Sequence, residues 1–201
     1  MKLNRGISRP YAKSEKMKLA YIIFNGITWV DFVGVYEPVS KLKSLKCLPE
    51  LEWDICSFTG SITDIFGLEL KPSIIRNSLA DYGAVIIPGG RGAWELQFDK
   101  DFIGWIRTAE PAKFKISICT GSLILGAAGF LKGKLATTHF QEYENLKPYC
   151  KRVLTDRIVE DDNTITAGAV SASIDLGLFL CDKCAGPEAA KEIRKRMDYH
   201  G

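Results

Sequence analysis

The sequence predicts a single α/β domain built on a doubly wound, mostly parallel sheet with helices on both faces. Two observations carry that prediction. Short apolar and β-branched runs, among them LAYIIF (19–24), AVIIPGG (84–90) and KISI (115–118), alternate with longer stretches of helical period. That is the pattern of strand–helix units whose strands are buried on both sides. The length, 201 residues, suits one domain of roughly 100–200 residues and is hardly enough for two.

LAYIIF is a buried strand closed by the turn pair Asn25-Gly26. A helix is predicted over 31–46, with Val35, Val39 and Leu42 on one face. Pro38 falls inside it, so the helix either starts late enough to hold Pro38 in its first turn or kinks. LEWDICSF (51–58) is the second strand, and ITDIFGLELKPSII divides at Gly67 into a short hairpin. AVIIPGG stops at Pro88 and a glycine pair, and a helix over 94–109 turns Leu96, Ile103 and Ile106 inward. KISI runs almost directly into the helical SLILGAAGFL. Short strands near 135–138, 152–159 and 164–167 lead to a long final helix from about Ser171.

Residues 1–16 differ from the rest. Lys2, Arg5, Arg9, Lys13 and Lys16 face one acid, Glu15, with no continuous apolar stretch. They are expected to form a flexible basic extension ahead of the domain at 17–201. Neither a secretory apolar core nor a run of about 18 apolar residues occurs, so no membrane partner is expected. A net charge of +3, with no dense Lys/Arg stripe after residue 18, argues against a nucleic-acid surface. The six cysteines lack the spacing of a disulfide scaffold, which points to a reducing, cytoplasmic setting. Cys181 and Cys184 form a C-x-x-C without a second pair, so no metal site is expected.

In a doubly wound sheet, ligands bind beyond the carboxyl ends of the strands. Three segments converge there: 25–31, 88–92 and 119–122. Cys119 ends a buried strand, and Gly121 and Ser122 let the chain turn at once into a helix, as in a nucleophile elbow. A thiol there faces unpaired helix N–H groups, which favours thiolate. The plainer reading is a small buried hydrophobe. Gly89 and Gly90 admit close backbone approach and are candidates for an oxyanion cradle. His139, Asp31 and Glu37 are the candidate proton managers, with Asp31 as a plain helix cap the alternative. Asp175 reads as an anchor of the last helix, Thr137 and Thr138 as strand residues, and Trp94, Trp105 and Tyr36 as core or pocket lining.

The segments WVDFVGVYEP (29–38), IIPGGRG (86–92), SICTGSLILGAAGFLKGKLATTH (117–139) and TAGAVSASIDLGLFL (166–180) together resemble the ThiJ/PfpI family of the class I glutamine-amidotransferase-like superfamily, over about 17–199. The resemblance implies a flavodoxin-like fold. Its nearest branch is that of the isonitrile hydratases, shared with the sensor halves of certain AraC-type regulators. It departs from the branch pattern at Val35, where the branch carries proline, and at Pro38, which touches how Asp31 is aimed. The resemblance implies Cys119 as nucleophile, Asp31 as acid/base, Thr120 as a supporting polar group, and Gly89, Gly90 and Gly121 around the pocket. It also implies a small-molecule substrate, no cofactor and a homodimer. Thr120 stands where peptidase-like members place histidine, and Asp31 where glyoxalase- or deglycase-like members place glutamate. Those activities, an amidase, and a ligand or oxidative sensor that is modified first at Cys119 are the alternatives. No helix-turn-helix tail follows Tyr199, so direct DNA binding is not expected.

Overall fold

The computed structural model describes Leu3–Asn4 and residues 17–201. The backbone pair Leu3–Asn4 (β1) runs parallel to a strand at the sheet edge; otherwise the expected flexible extension over 1–16 lies outside the described residues. The first central strand is Lys18–Ile23 (β2), followed by helix Trp29–Ser44 (α1) and strand Glu52–Ser57 (β3). Then come Ile62–Thr63 (β4), Glu69–Leu70 (β5), Ile74–Ile75 (β6) and Ala84–Ile87 (β7). Helices Gly92–Leu96 (α2) and Lys100–Arg107 (α3) precede Phe114–Ile118 (β8) and Gly121–Ala127 (α4). Leu135–Ala136 (β9), Tyr143–Leu146 (α5), Arg152–Val153 (β10), Ile158–Asp161 (β11) and Thr164–Ala167 (β12) follow. Helices Ala172–Ala185 (α6) and Pro187–Arg196 (α7) close the domain.

The main sheet has the order β1-β11-β12-β8-β7-β2-β3-β6, and every pairing in it is parallel except β11 with β12. The doubly wound prediction holds. β7 and β8 are buried along their whole length, and β2 is buried beyond Lys18, because helices cover both faces. Successive residues of β8 show the two faces. Ile116 lines a small apolar cavity together with Val39 of α1 and Leu180 of α6, while the Lys115 ammonium turns the other way and donates to the carbonyls of Glu110 (2.7 Å) and Ala112 (2.6 Å) beyond α3.

Three sequence expectations change, and one of the two readings of Pro38 is excluded. Pro38 sits inside α1 rather than in its first turn. α6 offers Gly177 opposite it, where a Cβ would lie only 2.3 Å from the proline ring. The helix predicted over 94–109 breaks into α2 and α3, because the Asp99 carboxylate accepts from the backbone N–H of Asp101 (2.9 Å) and Phe102 (3.0 Å) and starts a new helix. The hairpin around Gly67 is β4 with β5, but the following Ile74–Ile75 joins the main sheet beside β3. The final helix divides at Gly186, whose φ of +90° ends α6.

Candidate active site

β8 delivers Cys119 to the carboxyl edge of the sheet. The residue has φ +54°, a left-handed backbone that costs a non-glycine residue of order 1–3 kcal/mol unless its surroundings hold it. They do hold it. The Cys119 N–H donates to the carbonyls of both Ala167 (3.0 Å) and Gly168 (2.9 Å). Its own carbonyl accepts from the hydroxyls of Thr138 (2.9 Å) and Ser122 (3.0 Å). Gly121 lets α4 start at once, since a Cβ there would lie 2.2 Å from the Ile87 carbonyl oxygen. The elbow predicted from the sequence is present. Thr138, read as a plain strand residue, follows β9 and is one of its clamps.

Asp31 lies in the first turn of α1 and is fully buried. It does not cap its helix. Its Oδ2 accepts from the Gly89 N–H at 3.0 Å, while Oδ1 is buried without a hydrogen-bond partner. Gly89 packs between the two candidate groups. A Cβ on it would stand 2.8 Å from both Asp31 Oδ2 and the Cys119 Cβ. Any side chain at 89 would therefore separate the carboxyl from the thiol.

Burial pushes the Asp31 carboxyl up from an ordinary 3.8 to about 7, against the opposing hydrogen bonds from Gly89 and Cys119. The Cys119 thiol is likewise pushed up, from 9.0 to about 12, first by burial and then by the negative charge of Asp31. The N–H and hydroxyl of Thr120 pull the other way. This corrects the expected resting thiolate. The end of a short helix contributes about 0.3–1 kcal/mol, whereas a rise from 9.0 to about 12 opposes ionisation by about 4 kcal/mol. Desolvation wins, and the proton rests on sulfur beside a carboxyl that itself titrates near neutral pH. The exposed thiol is that of Cys47, so a reagent from solvent meets Cys47 more readily than Cys119.

The backbone cradle also changes. The Gly89 N–H is spent on Asp31, and the Gly90 N–H donates to the Thr120 hydroxyl at 2.9 Å, which in turn donates to the Gly90 carbonyl at 3.0 Å. Gly89 and Gly90 brace the acid and Thr120 rather than offering free donors. Glu37 points to solvent and pairs with Lys41 at 2.6 Å, away from the site. His139 follows β9, where its Nδ1 accepts from the Gln141 N–H (3.3 Å) and its ring stacks on Phe140. Asp175 is an anchor, as expected: it pairs with Arg157 at 2.5 Å and accepts from the Tyr199 hydroxyl at 3.1 Å. Trp105 is core, Tyr36 packs against Tyr21 and Trp53, and Trp94 is largely exposed. Cys181 and Cys184 contact the Pro38 carbonyl and the Met17 sulfur. Among the described residues no cluster of His, Cys, Asp and Glu could hold a metal ion, and no helix is long and apolar enough to cross a membrane.

Comparison with known proteins places this geometry. A model of the DJ-1/PfpI family matches residues 17–183. Among curated proteins, the isonitrile hydratase of Pseudomonas putida is 32% identical over 91% of this chain and 78% of its own length. The HTH-type transcriptional regulator GbdR of Pseudomonas aeruginosa is 21% identical over 94% of this chain, which spans about half (53%) of that regulator. Among solved structures, a ThiJ/PfpI family protein from Pseudomonas syringae superposes with a TM-score of 0.84 at 27% identity, covering 93% of this chain and 76% of that one.

Proposed function

The chain belongs to the DJ-1/PfpI family, and from that premise we propose that it is a cysteine-dependent hydratase converting small isonitriles to N-formamides. One observation carries the reading. The nucleophile at the elbow is paired with a buried carboxyl whose Oδ1 has no hydrogen-bond partner and whose proton affinity is raised to the neutral range. The likeness to the Pseudomonas putida isonitrile hydratase supports the substrate class.

Hydration of an isonitrile needs one nucleophile and a group that moves a proton out and back. As the Cys119 sulfur attacks the terminal carbon, Asp31 takes the thiol proton and delivers it to that carbon, leaving a thioimidate, R–N=CH–S–Cys119. Water then adds across the C=N bond, hydroxyl to carbon and hydrogen to nitrogen. Breaking the C–S bond releases R–NH–CHO, and the hydroxyl proton returns to sulfur through Asp31. A carboxyl near 7 suits both directions of transfer at neutral pH. The Thr120 N–H stabilises negative charge on sulfur, while its hydroxyl holds the Gly90 backbone.

The test is formamide production from a panel of aliphatic and aromatic isonitriles. Wild type is expected to turn over, with losses of several orders of magnitude in folded Cys119→Ala and Asp31→Ala. Unchanged turnover in either variant would overturn the mechanism. Inactivity of the wild type on every isonitrile would move the assignment to a ligand sensor, the role favoured by the likeness to a regulator.

A further inference from the structure

A cleft of about 310 Å³ opens beside the candidate site. One wall is Trp29 and Val30 of α1, and the other is Ile65, Phe66 and Leu68 at the tip of the β4–β5 hairpin. It adjoins the reactive pair through shared backbone. Val30 directly precedes Asp31, Thr28 donates its N–H to the Gly89 carbonyl at 2.8 Å, and Ile27 bridges to Gly90. The cleft is built rather than incidental. The Trp29 indole N–H donates to the Leu68 carbonyl at 3.2 Å, tying the hairpin to the helix. Asp64 Oδ1 accepts from the N–H groups of Phe66 (2.8 Å) and Leu68 (2.9 Å), shaping the tip.

Arg91, the residue after the glycine pair, lines the same cleft. It is exposed, and among the described residues no carboxylate pairs with it. Asp64, the acid of the lining, is engaged by the two hairpin N–H groups. Phe66 and Leu68 are 89% and 61% exposed, a large amount of apolar surface to leave wet beside the Arg91 guanidinium. An apolar wall with a cation that no described carboxylate pairs selects a molecule with an apolar body and one anionic group. The volume lies at the small end of the ligand-cleft range of about 300–1,000 Å³, the scale of a single amino-acid-sized body.

We propose that this cleft holds the organic part of the substrate, and that the substrates are isonitriles carrying both an apolar or aromatic side chain and a carboxylate, which Arg91 binds. The identity of the reacting group rests on the hydratase reading. The products are then N-formyl amino-acid-like carboxylates, which serve as inert probes of the cleft.

The test is the Kd of N-formylphenylalanine and of its methyl ester, measured by ligand-observed NMR on wild type, Arg91→Gln and Phe66→Ser. Both side chains are exposed, so neither change threatens the fold. The acid is expected to bind roughly three- to ten-fold more tightly than the ester, as one partly exposed ion pair allows. Arg91→Gln is expected to bring that ratio to about one, and Phe66→Ser to weaken both compounds alike. Equal binding of acid and ester, a preference that survives Arg91→Gln, or no binding of either would overturn the proposal. So would a Phe66→Ser variant with an altered sedimentation coefficient and an unchanged Kd, which would assign the wall to a second copy of the chain. Binding needs no turnover, so absent hydration would sink the hydratase reading and leave an anion preference standing. A missing preference beside active hydration would do the reverse.

Discussion

Replacing Asp31 by Asn tests the electrostatics of the site through the stability of the fold. Asn keeps the shape and an oxygen to accept the Gly89 N–H, and it removes the titration. The carboxyl titrates at about 7 in the folded protein against 3.8 ordinarily, a difference worth about 4 kcal/mol at about 1.4 kcal/mol per pH unit. The folded-state value is the raised one, so the contribution to stability is fully present below 3.8 and is lost as pH rises through about 7. Wild type therefore loses stability relative to Asp31→Asn between about pH 4 and pH 7, and the difference levels off above that. Urea denaturation of both proteins at fixed ionic strength, from pH 4 to pH 8, reads this directly. The variant is expected to gain about 4 kcal/mol on wild type across that range, groups common to both cancelling. A flat difference would mean that the carboxyl is not desolvated. A difference of the opposite sign would mean that a favourable partner holds its charge, and either result refutes the proton-transfer role derived from burial.

Two further perturbations separate the site from its frame. Thr138→Val removes one of two hydroxyl donors to the Cys119 carbonyl; at about 1 kcal/mol for a lost hydrogen bond, kcat is expected to fall roughly five- to ten-fold with KM unchanged. Thr138→Ser is expected to restore it, and failure of that rescue would remove Thr138 from the positioning of the elbow. Gly34→Ala would place a Cβ 2.1 Å from the Ser173 Oγ, where α1 meets α6, and is expected to destabilise by about 1–3 kcal/mol in urea. Gly104→Ala, on α3 with nothing within 4 Å of the new Cβ, is expected to stabilise by about 0.5–1 kcal/mol, and equal effects at the two sites would deny the close α1–α6 contact.

What the sequence determined is what neighbours along the chain decide. Buried runs such as AVII and KISI specify strands wherever they are placed, because unbroken apolar length suits a strand covered on both faces. The passage from KISI through Cys119, Gly121 and Ser122 into an apolar helix specifies the elbow, because only glycine fits beside the Ile87 carbonyl. Asp31 and Cys119 were both legible as candidates. What they do was not. The state of the thiol depends on burial and on a carboxyl 88 positions earlier, and the helix-end argument visible in the sequence carries the smaller energy. The glycine N–H groups looked free because their acceptors, Asp31 and Thr120, lie 58 and 30 residues away. Glu37 shares a helix with Asp31 and still faces water, since helical rotation, not proximity along the chain, sets the face. Thr138 and the apolar cleft that Arg91 lines come from segments that only the folded sheet brings together. Hydrogen-bond partners and desolvation are sums over neighbours in space, and for these groups the neighbours are supplied by the fold.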